Sequence, residues 1–281
     1  MSTTPLAAGN ARVKDAGRLS RRSVRTERRL FLAEGPQAVE AALAVDGRVV
    51  EVFATPEAVR RFDALLGGAV GTTVTLVDDR ALASLTEAVS PAGLVAVCRL
   101  LDRPLEHVVP GSRLVALCAE VRDPGNAGTI VRTTDAAGGD AVVLAGDAVD
   151  LHNPKTLRAS AGSAFHVPVA LEPDPVRAVE AARAAGLTVL AADGAGELDL
   201  AELEDAARDA ARDGGRDGSG GALLARPTAW LLGNEAHGLD DALAALADHR
   251  VRIPIHGRAE SLNLASAATL CLYASATAQR R

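Results

Sequence analysis

Cysteine is scarce in this chain, with three in 281 residues, and lysine is scarcer, with two. Cys98, Cys118 and Cys271 lie far apart, each inside an apolar run. They fit neither a disulfide framework nor a metal-ligand spacing and are expected as buried thiols. No uninterrupted apolar run reaches the roughly 18 residues of a membrane helix. The opening MSTTPLAAGNARVKDAGR has no apolar core of the kind a secretion signal needs. A cytoplasmic protein without a membrane span is therefore expected. No G-x-G-x-x-G follows a strand-like run, because GGAVGT at 67–72 and GAGELD at 194–199 lack the spacing, and no G-x-x-x-x-G-K-[ST] occurs. That argues against a P-loop site and against a Rossmann-type oxidoreductase. The six histidines show no H-E-x-x-H pattern, so no metal is expected.

What is present suffices for a globular protein. Hydrophobic residues make up 48% and charged residues 23%, and the length suits two cores better than one. The net charge of −6 hides an uneven distribution, since residues 1–30 hold eight basic groups against Asp15 and Glu27. Arginines 21, 22, 25, 28 and 29 are the expected contacts for a polyanion such as RNA, because phosphate contacts supply most sequence-independent affinity. The plainer alternative is a solvated tail in a chain that favours arginine throughout.

Residues 1–20 read as a basic flexible arm. The stretch 20–44 continues as a basic segment and an amphipathic, helix-like run, followed by strand-like RVVEVFA, TVTLVD and LVAVCRL with helical patterns at 56–66 and 79–88. Residues 21–101 thus form a small α/β unit, and the proline- and glycine-bearing 102–112 reads as a linker. From 113 the alternation restarts with LVALCAEV, AVVLAG, HVPVAL and LTVLAAD, separated by helical patterns. Strands apolar throughout imply a parallel sheet covered on both faces. The fold class is α/β in both halves. An acidic, then Gly/Asp/Arg-rich stretch at about 197–226 reads as an exposed, partly disordered insertion, and a last helix is expected over Ser261 to Ala276.

Polar and glycine residues break the apolar rhythm at three strand ends: Asp123 to Arg132 in DPGNAGTIVR, Gly233 to Gly238 in GNEAHG, and Pro254 to Asn263 in PIHGRAESLN. Ligands of open α/β sheets bind beyond the carboxyl ends of strands, so the three loops would share a crevice. Singly, Asn126 and Ser261 also read as helix caps, Gly233 and Gly257 as turn residues, and Glu235 as a surface acid.

Taken in order, NAGTIVRTTDAAG, LLGNEAHGL and IPIHGRAESLNLASAATLCLY resemble the three motifs of the SpoU (TrmH) family of SPOUT-class RNA 2'-O-ribose methyltransferases. FLAEGPQAVEAAL and the residues to about 100 resemble the substrate-binding domain that many members carry, a small fold like that of certain ribosomal proteins. The resemblance implies S-adenosylmethionine as cofactor, a C-terminal trefoil knot and a homodimer whose interface helps form the active site. It implies catalytic roles for Asn126, Arg132, Glu235, Ser261 and Asn263. It implies a cofactor site around Leu232, Gly233, Asn234, Gly238, Ile253, Pro254, Ile255, Ser261, Leu262 and Asn263. Arg132 is the position the family offers for activating the 2'-hydroxyl, yet a guanidinium is a poor base and suits phosphate binding better. Glu235 would orient Asn126 or Arg132. The expected substrate is ribosomal (23S) RNA, with a tRNA methyltransferase or a non-catalytic RNA-binding assembly protein as alternatives.

Overall fold

Short apolar runs ended by Gly, Pro, Asp or Asn form the strands, and the stretches between them coil into helices. The structure, a computed structural model, describes residues 4–69, 71–212 and 222–280. In chain order it begins with α1 (Ala11–Gly17), α2 (Arg22–Arg28), β1 (Leu30–Glu34), α3 (Pro36–Leu43), β2 (Val49–Ala54), α4 (Pro56–Arg61), α5 (Asp63–Gly67), β3 (Thr73–Leu76), α6 (Asp79–Ala83) and β4 (Leu94–Arg99). It continues with β5 (Leu114–Ala119), α7 (Pro124–Ala137), β6 (Ala141–Ala145), α8 (Pro154–Ser160), β7 (Val169–Glu172), α9 (Pro175–Ala184) and β8 (Thr188–Ala192). The last elements are β9 (Leu198–Asp199), α10 (Leu200–Arg212), β10 (Thr228–Leu232), α11 (Asp241–Ala244), β11 (His249–Arg252) and α12 (Leu264–Gln279). Two compact units result: Met1–Leu101 with Asp150–His166, and Asp102–Val149 with Val167–Arg281.

The first unit has a four-stranded sheet in the order β1-β4-β2-β3, with β4 antiparallel to β1 and β2 and β3 parallel to β2. Two expectations change here. The stretch 20–44, read as a basic segment and a helix-like run, also contains β1, because Leu30–Glu34 pairs residue by residue with β4. The stretch expected as a flexible arm is folded from Ala11: Asn10 caps α1, and Val13, Ala16 and Leu19 are buried with Leu32, Phe53 and Val95. An apolar face at i, i+3 and i+6 explains why this basic segment packs.

A third correction concerns Arg25, expected on RNA. Its side chain is 5% exposed, and its Nε and Nη2 donate to Asp150 Oδ2 at 3.0 and 2.6 Å. Its Nη1 donates to the carbonyls of Leu19 and Ser20. His152 Nδ1 lies 3.4 Å from Asp150 Oδ1, and its Nε2 accepts the Leu101 N–H. These bonds, with the rings of Phe31, His152 and Phe165 packed together, tie 150–166 into the first unit. Arg28 pairs with Asp15, while Arg21, Arg22 and Arg29 remain exposed. Burial pushes the Asp150 carboxyl up, but hydrogen bonds from His152 and Arg25 outweigh it and hold the group below its ordinary value. The pair therefore stabilises the fold above the ordinary carboxylate range and loses its effect as acid protonates Asp150. Asp150→Asn is expected to cost roughly 3 kcal/mol in denaturant unfolding at neutral pH, the penalty for leaving Arg25 buried without its counter-charge. A loss below about 1 kcal/mol, the scale of exposed pairs, would contradict this.

The second unit is built on a wholly parallel sheet in the order β7-β6-β5-β10-β8-β11-β9. Strands β5, β6 and β10 are buried along their whole length. On one face Leu117, Val143, Val189 and Leu231 pack with Val179 of α9 and Leu243 of α11. On the other α12 lies along α7, where Trp230 Nε1 donates to Ser275 Oγ at 2.9 Å in the interior. Leu105, Val108 and Val109, from the stretch read as a linker, are buried in this core. The expected insertion also contributes to the fold, for β9 pairs with β11, α10 is helical and Leu224 is buried. Residues 213–221 of that stretch lie outside the described residues. All three cysteines are buried, and burial pushes the thiols of Cys98 and Cys118 up to about 12.

Candidate active site

The loops after β5 and β10 and the segment leading into α12 meet in the second unit, at the carboxyl side of the sheet. Asp123, not Asn126, caps α7: its carboxylate accepts the Asn126 N–H at 2.8 Å, and Pro124 takes the first helical position. This frees the Asn126 side chain. Its Nδ2 donates to Glu235 Oε1 at 3.1 Å, and its Oδ1 accepts Asn263 Nδ2 at 3.0 Å. Asn263 is the cap of α12, its Oδ1 accepting the N–H groups of Ala265 and Ser266. The last helix starts at Leu264, so Ser261 belongs to the loop before it.

Glu235 is held by backbone as well. The N–H groups of Asp123 and Arg122 donate to its two oxygens at 3.0 and 3.2 Å. Desolvation raises the Glu235 carboxyl, but its own backbone N–H, the side-chain amide of Asn126 and the backbone N–H groups of Asp123 and Arg122 outweigh this and keep it below its ordinary value. The neighbouring Asn234 donates to the Glu120 carbonyl, and its backbone closes on Gly238 in both directions at 2.8 and 2.9 Å. Gly233 is needed for that closure: a Cβ there would lie 2.4 Å from the Gly238 carbonyl.

An amide nitrogen carries two hydrogens, and this network uses one each on Asn126 and Asn263. Two N–H donors remain to hold oxygens of a ligand, whereas the acceptor atoms of both amides are already engaged. The one carboxylate of the cluster, Glu235, has both oxygens engaged by N–H donors, an arrangement suited to orientation. Arg132 stands apart, exposed on α7 and without a hydrogen bond or ion pair among the described residues.

Beside the network is a cleft of about 290 Å³ whose walls include Gly233, Asn234, Gly238, Ile253, Ile255, Ser261 and Leu262. Leu232 is fully buried in β10, and Pro254 and Asn263 are not on the wall. Sequence reasoning missed Ala192 at the end of β8, Asp193 and Gly194 after it, and also Glu260, all of which line the cleft. The signal was available, since LTVLAAD ends a strand on a polar residue as the other three do. Asp193 is fixed by Arg250 Nε and Nη2 at 2.9 and 2.5 Å and by the Ala195 N–H. Among the described residues no group of three His, Cys, Asp or Glu is placed to hold a metal, and no helix is long and apolar enough to cross a membrane.

Comparison with known proteins places residues 113–273 on the SpoU rRNA Methylase family and residues 10–96 on the MRM3-like substrate binding domain. The chain is 34% identical over 269 residues to the 23S rRNA (guanosine(2553)-2'-O)-methyltransferase RlmP of Bacillus subtilis, covering 95% of this chain and 96% of that one. Its fold matches the SpoU methyltransferase AviRb of Streptomyces viridochromogenes in complex with AdoMet, with a TM-score of 0.80, 30% identity, and 96% and 99% of the two chains covered. An AdoMet-bound rRNA methyltransferase from Sinorhizobium meliloti gives a TM-score of 0.78 at 31% identity, covering 95% and 94%.

Proposed function

Because the chain belongs to the SpoU rRNA methylase family, we propose that it transfers a methyl group from S-adenosylmethionine to a ribose 2'-hydroxyl of 23S ribosomal RNA. The observation that carries this reading is the hydrogen-bonded series Glu235, Asn126, Asn263, which joins three distant segments at the edge of one cleft. The cleft suits the cofactor chemically. Glu260 on its wall would balance the charge of a bound sulfonium or ammonium, and Ile253 and Leu262 would offer apolar walls to the adenine. When bound, S-adenosylmethionine supplies an electrophilic methyl group.

The chain's own residues have the task of orientation. Glu235 fixes the side-chain amide of Asn126, and Asn126 fixes that of Asn263, leaving their remaining N–H groups to hold oxygens of the target nucleotide. Arg132 binds the phosphate beside the target ribose and aims the hydroxyl, whose proton leaves to phosphate or water. Ser261 adds a further hydrogen bond at the cleft. Exposed Arg21, Arg22 and Arg29 contact the RNA backbone. We extend the reading to a cytoplasmic homodimer with a knotted C-terminal segment. In support of a dimer, Leu270 and Tyr273 stand three residues apart on α12, each 46% exposed, on a helix whose other apolar residues are buried or half-buried.

Asn263→Asp separates the two jobs of this side chain. It keeps a capping oxygen for α12 but replaces the donor to Asn126 with a second acceptor. Turnover is expected to fall about a hundredfold, the scale of losing one oriented donor, with the melting temperature nearly unchanged; full activity would show that Asn263 is only a cap. The reading as a whole is tested by incubating the protein with labelled S-adenosylmethionine and, separately, bulk rRNA and tRNA, then digesting to nucleosides. A 2'-O-methyl nucleoside from rRNA supports it. Product from tRNA alone would overturn the substrate, and absence of cofactor binding would overturn the chemistry.

A further inference from the structure

We propose that the second unit reads the base of its target nucleotide, and that Glu120 makes guanine the base it accepts. The proposal rests on the reading that the protein methylates a ribose of RNA. Its ground is a second cleft, of about 1220 Å³, larger than the one assigned to the cofactor. The two clefts share Asn234, Glu235, Ala236 and Gly238 as wall, so a nucleotide in one and a methyl donor in the other meet at a single turn. The ribose between them then comes beside Glu235, the residue that fixes the Asn126 amide. The volume exceeds that of ordinary small-molecule sites and admits one seated base with its neighbours on the strand.

The lining suits a base better than a run of phosphates. Val176, 40% exposed in the first turn of α9, stands with Pro175 and Leu239 as apolar surface for the flat face of a ring. Several carboxylates share the wall and would repel phosphate, and most are engaged within the protein. Asp123 caps α7, Asp240 caps α11, and Glu235 accepts from Asp123, Arg122 and Asn126. Asp241 lies within the field of Arg250. Glu120 differs from them. Among the described residues its half-exposed carboxylate accepts no hydrogen bond, and its ion-pair contact with Arg122 Nη2 is at 3.9 Å. Both of its oxygens are therefore ready for donors.

The backbone fixes Glu120 in a demanding conformation. Its φ of +55° lies in the left-handed region, which a residue with a Cβ occupies against steric resistance. Such strain persists where the surroundings over-determine it, and it gathers at ligand sites. Here the Glu120 N–H donates to the Ala145 carbonyl at 2.9 Å, and the Glu120 carbonyl accepts Asn234 Nδ2 at 2.9 Å. A Cβ on Gly146 would lie 3.0 Å from Glu120 Cγ and 3.1 Å from Pro175 Cγ, so the stem of Glu120 occupies space that a glycine keeps open. The bond to Asn234 ties Glu120 to the turn shared with the cofactor cleft. Bases drawn out of a stack are read on their Watson–Crick edges. On that edge guanine alone carries two adjacent N–H donors, N1–H and N2–H, which match both oxygens of one carboxylate. Uracil places a carbonyl on each side of its single N–H, and cytosine and adenine set an acceptor nitrogen beside their amino group. For those three bases the second carboxylate oxygen would face a lone pair.

The test uses the full chain with 23S rRNA and S-adenosylmethionine. The methylated nucleoside released by digestion is expected to be 2'-O-methylguanosine. Glu120→Gln presents one acceptor and one donor in place of two acceptors, and Glu120→Gly removes the side chain while suiting the left-handed backbone. Both variants are expected to lose about ten- to a hundredfold in kcat/KM on this rRNA, the scale of one bidentate base contact, with cofactor affinity unchanged. On a 23S transcript carrying uridine at the mapped site, Glu120→Gln should outperform the wild type, whose carboxylate repels a uracil carbonyl. The melting temperature of Glu120→Gly should equal or exceed that of the wild type, which separates base reading from support of the fold. A methylated nucleoside other than guanosine, or wild-type preference for guanosine over uridine in both variants, would overturn the proposal and leave the methyl transfer standing. A fall in melting temperature that tracks the loss of activity in both variants would assign Glu120 to the fold and overturn it too. A wild type that binds S-adenosylmethionine but yields no 2'-O-methyl nucleoside from rRNA would overturn the assigned reaction, and the base site with it.

Discussion

Gly233→Ala is expected to abolish cofactor binding, lowering affinity for S-adenosylmethionine by at least a hundredfold in a calorimetric titration. The new methyl group would sit 2.4 Å from the carbonyl carbon and oxygen of Gly238 and 2.5 Å from the Leu239 nitrogen. All three are backbone atoms, and the turn that holds them is closed by the paired N–H···O bonds between Asn234 and Gly238. No rotamer change relieves the clash, so the turn must open, displacing Asn234, Glu235 and Gly238 from the cleft wall together. Should the variant fail to fold, Gly238→Ala provides the second measurement. Gly238 has φ +71° but open space around its Cβ position, so alanine there costs only about 1–2 kcal/mol of backbone strain. It is expected to weaken cofactor binding far less than the change at Gly233. Unaltered affinity in a folded Gly233→Ala protein would sink the assignment of this turn to the cofactor site.

The second large effect is expected from Glu235→Gln. The side chain keeps its size, but the carboxylate oxygens face only donors: the backbone of Asp123 and Arg122 and the amide of Asn126. A glutamine sets an NH₂ against one of them, and the orientation of Asn126 is lost with it. Turnover should fall by about 10²–10³, comparable to removing a preorganised polar contact at other enzyme sites, while cofactor affinity changes only a few-fold. Acid gives an independent readout. The folded carboxyl titrates below its ordinary value, so its favourable contribution is complete above the unfolded value, about pH 4.3, and disappears as pH falls through the folded one. The stability gap between wild type and variant should therefore close in acid. A gap that is constant with pH would mean that the carboxylate charge is not what the surrounding N–H groups recognise.

The parallel sheet was legible because β5, β6 and β10 are apolar along their whole length, the signature of strands covered on both faces. The three site loops were legible because glycine, proline and asparagine interrupt those runs at their carboxyl ends. Pairings across long sequence separations were not. Arg25 stands in a basic run and reads as solvent-facing, yet its partner Asp150 lies 125 residues away, and no local pattern announces it. The same limit applies to Glu235, whose choice of Asn126 over Arg132 depends on how α7 is rotated. Within α7 the cap moved from Asn126 to Asp123, because the proline at 124 pre-sets the first helical turn and the helix starts three residues earlier than periodicity suggests. The strand β1 was hidden by its basic neighbours, whereas Asp193 and the Gly194-Ala195-Gly196 that follow it carried the same signal as the other strand ends.

The membership of residues 150–166 in the first unit has a consequence during synthesis. A nascent chain that has only just extended past Leu101 contains the sheet β1-β4-β2-β3 and Arg25, but not Asp150, His152 or α8. At about 5–20 residues per second, seconds pass before the counter-charge of Arg25 emerges. Through that interval Arg25 has no carboxylate to enter the interior with, and the Leu101 N–H has no imidazole to meet. The amino-terminal half is thus completed only by a segment translated well after it, so the last step in folding the first unit waits on translation of part of the second.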